Sequence, residues 1–531
     1  MDVGAAEAAV CTQGARLAMT LRMAEVLGSL SLATDLADGF ALEKSLRTTV
    51  IAMRIAAAID ASLEARSTTY WTTLLRFVGC TGFAHEEGTR YAAGDDRSLR
   101  QTLALAEPGN LGDFLTRAVR IAPDASLASR AVAIGRLLAD PSAPRQHSHA
   151  QCEAGMAVAS ALGMPAEVVT ALRVRDERWD GRGPLGLAEG DRLPLAARIA
   201  DVADVCELFA WSQGLAAMRD ELRRRRGRQL DPAIVDAALA ADRDLTVGWS
   251  APSVWETFLE SEPEPRRLAT GEDAIADCLA AFSLLPDIAS VFTLGHSARV
   301  AALTEQVVLL LGGSSERARL ARMAGFAHDL GRVGVPVGLW EKRGPLNAFE
   351  RERVRAHSAH TETVLRLSPA LAEVADIAGA THERGGGRGY HRRLHLEQVS
   401  LEARALAVAD VYVALDSERP HRPRRSRDEI VREMRGEATP VGLDPQAVRA
   451  VLEAGGHRAS RRSRGPGGLT EREVEVVRLV AIGRTNKEIG AVLGMSARTA
   501  QKHVMNVYAK IGRESRAGLA LFAVEHGLLD D

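Results

Sequence analysis

The stretch Phe326-Ala-His-Asp-Leu-Gly-Arg-Val-Gly-Val-Pro336 sets an imidazole and a carboxylate side by side, His328-Asp329, after an apolar helical run and before a glycine turn. Such a pair can hold a divalent metal, and its carboxylate can bridge two. One His-Asp dipeptide in a long chain means little, so its weight rests on partners. His296 shares a helical face with Val300 and Leu303 and therefore points inward. His328-Asp329 ends a second helix, and His357 is read as opening a third. His382-Glu383 stands before a Gly-rich loop, and Asp410 lies inside the apolar helix Ala403–Leu415. Taken singly, each histidine reads as an ordinary core or surface group. Gathered from five helices, buried imidazoles and carboxylates need a compensating charge, and a metal supplies it. Histidine and carboxylate without thiolate suit iron or manganese, as one or two ions, better than structural zinc.

The elements that position these groups are helical. Aromatics make up only 4% of the 531 residues, Ala, Leu, Val and Arg dominate, and apolar residues recur at three- and four-residue steps, so the expected fold class is all-α. With 67 basic and 69 acidic residues the chain is nearly neutral, so any basic surface must be local. The five cysteines form no CxxC pair, which argues for a reducing compartment and against a zinc ribbon or disulfide frame. The N-terminus lacks a signal-peptide pattern and no apolar run is long enough to span a bilayer, so a cytoplasmic protein without a membrane segment is expected.

The chain also repeats itself. Ser31, Asp35 and Lys44 have the spacing of Ser283, Asp287 and His296. Gly79-Cys80-Thr81 answers Ala327-His328-Asp329, and His147, Glu177 and Asp204 answer His357, Glu383 and Asp410. The expected map is a first helical copy at 1–245, a linker at 246–275, a second copy at 276–454, a flexible basic linker at 455–468 and a small domain at 469–531. The run Arg223–Arg226 reads as a solvated helix face. In the first copy Lys44, Cys80, Thr81 and Asp176 replace metal donors, so no metal pair is expected there. A partner surface for the second copy, or a sensory pocket, is its expected role.

From 469 the signals are local and sharp. Thr470-x-x-Glu473 and Thr485-x-x-Glu488 are capping boxes, Gly483 and Gly494 end helices, and Ser496 and Ser515 cap two more. Ala500, Val504, Val507, Tyr508 and Ile511 form an inner stripe, while Arg498, Thr499, Gln501, Lys502 and Asn506 fall outside it. This is a helix-turn-helix whose second helix enters a major groove of double-stranded DNA. Between 495 and 516 there are five basic residues and one acid.

Two resemblances follow. Residues 282–446, and more weakly 29–240, resemble the HD-GYP phosphohydrolases, all-helical metal-dependent enzymes that cut cyclic dinucleotides such as cyclic di-GMP. The resemblance implies that His296, His328, Asp329, His357, His382 and Asp410 are metal ligands with Asp329 as the bridge, and that Asp329 and Arg332 are the catalytic candidates. The chain departs from that pattern. Thr381 stands where a second histidine belongs, Arg332 replaces a lysine, and the loop reads Gly385-Gly-Gly-Arg-Gly-Tyr390-His391. His360 is a possible substitute ligand. Residues 469–531 resemble the LuxR-type (GerE) DNA-binding domain in "LTEREVEVVRL…TNKEIG…LGMSARTAQKHVMNVYAKIG". That implies Lys487 and Thr499 on phosphates, Arg498, Gln501 and Lys502 at phosphates or base edges, and a homodimer through Leu519–Leu529. The expected function is a LuxR-family regulator with a helical input region that senses or hydrolyses a cyclic dinucleotide or other phosphorylated ligand. The alternative is a cyclic di-GMP phosphodiesterase with an accessory DNA-binding domain.

Overall fold

The computed structural model of the protein describes residues 21–108, 110–247, 251–269, 273–456 and 466–529. The fold is all-α. Among the described residues the only strands are Leu21–Arg22 and Leu268–Ala269, which pair antiparallel. No helix among them is long and apolar enough to cross a membrane.

The internal repeat is visible in matching hydrogen bonds. Asp35 accepts from the Ser45 amide (3.0 Å) and hydroxyl (2.6 Å) at the start of the helix Lys44–Ala58. Asp287 accepts from the Ser297 amide (3.1 Å) and hydroxyl (2.7 Å) at the start of His296–Leu310. Each carboxylate satisfies otherwise orphaned helix N–H groups. Burial pushes both up to about 7.

The two copies share one core. The helix Met23–Asp38 is buried nearly all round and packs on the second copy's helix Ala348–Arg366 and on the turn Leu330–Gly334. Leu27 and Leu30 join Leu330, Val364 and Phe282 in a single apolar cluster. The Ser29 hydroxyl donates to the Val364 carbonyl across the junction.

Two expectations need correcting here. Within the expected linker at 246–275, the described residues 251–269 include a packed helix. That helix, Trp255–Glu260, drives Phe258 into the core, stacked on Tyr70 at 5.4 Å and against Gly28, where a Cβ would come within 2.6 Å of the ring. Burying a phenylalanine side chain in this way contributes about 1.5–3 kcal/mol. The arginine run is not a simply solvated face either. Arg225 is 1% exposed, donating to the Leu105 carbonyl and to Glu221, while Arg224 and Arg226 pair with Glu107 and Asp236. Of the expected basic linker, 457–465 lies outside the described residues.

The C-terminal four helices, Glu471–Ala481, Asn486–Leu493, Ala497–Ile511 and Arg516–Glu525, close on their own core of Val476, Val477, Ile489, Ala500, Val504, Val507 and Leu519. The last helix also docks on the rest of the chain. Leu521 is fully buried beside Ala154 and Ile288, and the Glu153 carboxylate accepts from the Glu514 amide (2.6 Å) and the Ser515 hydroxyl. Leu521, within the stretch Leu519–Leu529 expected to pair two copies, is thus covered within the chain, while Glu525, His526 and Gly527 stay exposed.

Candidate metal centre and nucleic-acid interface

The second copy gathers all six expected donors. His296 is the first residue of its helix, after Gly295 in the left-handed region. His328 caps the end of Ser315–Ala327, and Asp329 follows as the chain enters a tight turn. That turn is tied down by Thr361, whose hydroxyl accepts from the Gly331 amide (2.9 Å) and donates to the His328 carbonyl (3.0 Å). Only glycine fits at 331, since a Cβ would stand 2.1 Å from the His357 carbonyl oxygen. His357 lies in the middle of Ala348–Arg366 rather than opening a helix, because Asn347 and Glu350 form the capping box upstream. His382 sits in the turn after Ala372–Gly379, and Asp410 lies within Leu401–Leu415.

Asp329 is the hub. Its Oδ2 lies 3.7 Å from His296 Nε2 and 3.6 Å from His328 Nε2, while Oδ1 lies 3.7 Å from His357 Nε2. Asp410 Oδ1 faces His296 Nε2 at 3.3 Å and its Oδ2 faces His382 Nδ1 at 3.9 Å. His357 and His382 bring their Nε2 atoms within 2.9 Å. Two three-donor groups result, His296/His328/Asp329 and Asp329/His357/His382, with Asp329 common to both. Donors held ~2.1 Å from one ion stand ~3.0–3.4 Å apart, so the spacing needs only small closure.

The ring orientations fit a cation as well. Nδ1 of His328 lies 2.8 Å from the Gly325 carbonyl and Nδ1 of His357 lies 2.6 Å from the Val354 carbonyl. A carbonyl only accepts, so each Nδ1 carries the proton and each Nε2 turns a lone pair to the centre. The Nε2 of His328 and both ring nitrogens of His296 are buried without a partner. Burial pushes His296 and His357 down to about 4 and His382 to about 3, so these rings are neutral at neutral pH. Burial alone would raise Asp329, but His328, Arg332, His296 and His357 around it hold its carboxyl well below the usual range. Asp410 is likewise lowered against its burial, chiefly by His296, which faces it at 3.3 Å. Two carboxylates among these imidazoles make up a donor set that could hold a divalent cation.

Several neighbours carried little signal in the sequence. Arg332 Nη1 bonds Asp329 Oδ2 at 3.0 Å while its guanidinium lies over Trp340, 4.0 Å from the ring centroid. Tyr390 stacks on His382 at 4.6 Å, and Trp340 meets His357 edge-on at 5.4 Å. Arg419, beyond the end of the Asp410 helix, is pushed down to about 10 by burial and by Arg332, and feels the charges of Asp410 and Asp329. Its only sequence signal is a cation near an Asp-bearing helix. Thr381 is buried with its hydroxyl on the Ala378 carbonyl (2.7 Å), so it does not replace the expected histidine. His360 packs against Gly331 and Gly334 and joins neither donor group.

The first copy neutralises its carboxylates by ion pairs with cationic side chains of its own. Lys44 Nζ lies 2.6 Å from Asp204, Arg76 Nη2 lies 2.5 Å from Asp201, and Arg175 Nε lies 3.0 Å from Asp176. His147 pairs with Glu87 at 2.9 Å. Among the described residues, no metal-capable group of three donors lies in this copy.

In the C-terminal module, both capping boxes form, and the Ser496 hydroxyl accepts from the Thr499 amide at 3.1 Å. Ala500, Val504 and Val507 face the core, while Lys487, Arg498, Thr499, Gln501 and Lys502 are all exposed. Lys510 pairs with Glu473 at 2.7 Å and Arg513 with Glu525 at 3.3 Å, so the outward basic surface centres on Arg498 and Lys502.

Comparison with known proteins gives two family matches. Residues 285–447 match the family model of the HD domain, and residues 468–523 match that of bacterial regulatory proteins, luxR family. The chain is 29% identical over 441 residues to 3′3′-cGAMP-specific phosphodiesterase 3 of Vibrio cholerae serotype O1, covering 82% of this chain and 95% of that protein. It is 36% identical over 167 residues to a cyclic di-GMP phosphodiesterase of Pseudomonas aeruginosa, 31% of this chain and 40% of that protein. A crystal structure of a cyclic GMP-AMP-specific phosphodiesterase of V. cholerae shares the fold, with a TM-score of 0.57 and 24% identity over 83% of this chain and 99% of that one.

Proposed function

We propose that this chain, which carries an HD domain at 285–447 and a C-terminal luxR-type helix-turn-helix at 468–523, is a DNA-binding transcriptional regulator whose second helical copy binds a cyclic dinucleotide at a pair of divalent ions, iron or manganese, and cleaves it. The reading rests on one observation, the convergence of four histidines on Asp329, with Asp410 facing His296 and His382 beside them and buried ring nitrogens left unpartnered. Bound ions would supply an activated water and charge neutralisation at a phosphodiester. The protein's own residues do the rest. His296, His328 and Asp410 hold one side of Asp329 and His357 and His382 the other. Arg332 and Arg419 bring positive charge to where phosphate oxygens would lie. Tyr390 and Trp340 fix the rings of His382 and His357. Lys487 and Thr499 anchor DNA phosphates, and Arg498, Gln501 and Lys502 approach phosphates or base edges. DNA and nucleotide targets together put its work in the cytoplasm, and paired half-sites call for a homodimer.

A second reading, binding without turnover, is favoured by one feature. Thr381 adds no donor where the resembled enzymes have a histidine. One comparison separates the two. Wild type and His328→Ala/Asp329→Ala are purified anaerobically, then assayed for metal content, hydrolysis of cyclic di-GMP and 3′3′-cGAMP, and promoter-fragment binding. Hydrolysis lost in the variant supports cleavage. An altered DNA response without hydrolysis in wild type supports sensing. Absence of bound metal in wild type removes both.

A further inference from the structure

The first copy has lost its metal donors but keeps a hollow beside them. Between the helices Lys44–Ala58, Asp96–Leu105 and Leu195–Gln213 lies a cleft of about 230 Å³ lined by Lys44, Arg47, Phe40, Trp211 and Arg120. This is the corner of the fold where the second copy sets His296 against Asp410, since Lys44 and Asp204 occupy those places. Three cations line the cleft against one carboxylate, Glu207.

Arg47 is the telling residue. Its Nε donates to Glu207 at 2.8 Å and its Nη1 to the Leu42 carbonyl at 3.0 Å, which fixes the guanidinium. Its Nη2 is buried and has no hydrogen-bond partner. A fixed guanidinium with an unmet donor in a cleft is suited to an oxyanion. The corresponding arginine of the second copy, Arg299, is satisfied by Asp416 and Ser417, so the unmet donor is particular to this cleft.

The other half of the cleft is aromatic. The Arg47 guanidinium lies 3.9 Å from the centroid of the Trp211 ring, and that indole is 48% exposed at the rim. Lys44 Nζ lies 5.1 Å from the Phe40 ring centroid. Arg120 adds an exposed cation at the mouth. Cationic donors beside aromatic faces are the combination that takes a phosphate and a base together.

We infer that this cleft is a metal-independent binding site for a nucleotide, its phosphate received by Arg47, Lys44 and Arg120 and its base laid against Trp211. The site is separate from the metal centre and does not depend on whether the second copy cleaves anything.

The test is calorimetric titration of the full chain with GMP and AMP in the presence of EDTA. One nucleotide should bind per chain, unchanged in His382→Ala. Trp211→Ala should weaken binding about tenfold, the effect of removing a stacking platform. Arg120→Glu, at an exposed position, should weaken it at least as much without disturbing the fold. Guanosine and inorganic phosphate should each bind at least tenfold more weakly than GMP. The inference is overturned if neither nucleotide binds, if binding disappears in His382→Ala, if both cleft variants bind like wild type, or if phosphate alone binds as tightly as GMP.

Discussion

Replacing Asp329 by asparagine tests the hub directly, because it keeps the shape of the side chain and removes its charge. Asp329 stands 3.6–3.7 Å from three imidazole nitrogens, so an ion on either side of it would lie closer still. At about 4 Å and an effective dielectric constant of about 20, one unit of cation charge against one carboxylate is worth about 4 kcal/mol. That corresponds to about a thousandfold in affinity, and a divalent ion feels more. In the metal-free protein the sign differs. The buried carboxylate carries a desolvation penalty, offset by Arg332 at 3.0 Å and the surrounding rings. Asparagine removes the penalty together with an offset that exceeds it, so the metal-free melting temperature should fall, and the effect of manganese is read against each protein's own metal-free value. The assay is calorimetric melting with and without manganese. Ligand at a hundred times its dissociation constant stabilises the folded state by about 2.7 kcal/mol, which wild type should show and Asp329→Asn should not. An equal manganese-induced shift in both proteins would refute the placement of Asp329 between two ions.

Three further outcomes are expected. Manganese affinity should hold as pH falls through 6.5, because His296, His357 and His382 are already neutral there, with values pushed down to about 4, 4 and 3; a fall of three decades per pH unit beginning at 6.5 would show ordinary histidines instead. Lys44→Met should destabilise the chain by about 3 kcal/mol in urea unfolding, since it leaves Asp204 without its partner in a largely buried pair, and an unchanged midpoint would show that the pair contributes nothing. Lys487→Ala and Lys502→Ala should each lower the slope of log affinity against log salt by about one without changing sequence preference, as read in DNA-binding titrations; a change in preference with an unchanged slope would place the side chain on a base edge.

What could be read from the sequence depended on whether the cause was local. The helix-turn-helix was legible because its boundaries are set by side chains within three residues, such as Thr470 with Glu473 and Thr485 with Glu488. The repeat was legible because Asp35 and Asp287 perform the same capping role at the same spacing. The meeting of His296, His328, Asp329, His357, His382 and Asp410 was legible as residue types, but their shared geometry depends on tertiary packing. The long-range contacts left no local trace. Phe258 is buried because Gly28 is bare, and Arg225 is buried because the Leu105 carbonyl awaits it. The middle-of-helix position of His357 was available in principle, through Asn347 and Glu350, but that helix is too polar to announce itself by periodicity.

The docked last helix carries a thermodynamic obligation. Leu521 packs on Ile288, whose neighbour Asp287 bonds the amide of Ser297, and Ser297 follows His296. A helix engaged with Ala154 and Ile288 cannot present that same face to a second copy, so docking and pairing compete for one surface. In the proposed homodimer, whatever free energy a ligand at the His296 side adds to or removes from docking would reappear, with equal size, in the energy of pairing on DNA. Reciprocity then runs the other way, and an operator that demands paired subunits changes the ligand affinity of the distant site by the same factor.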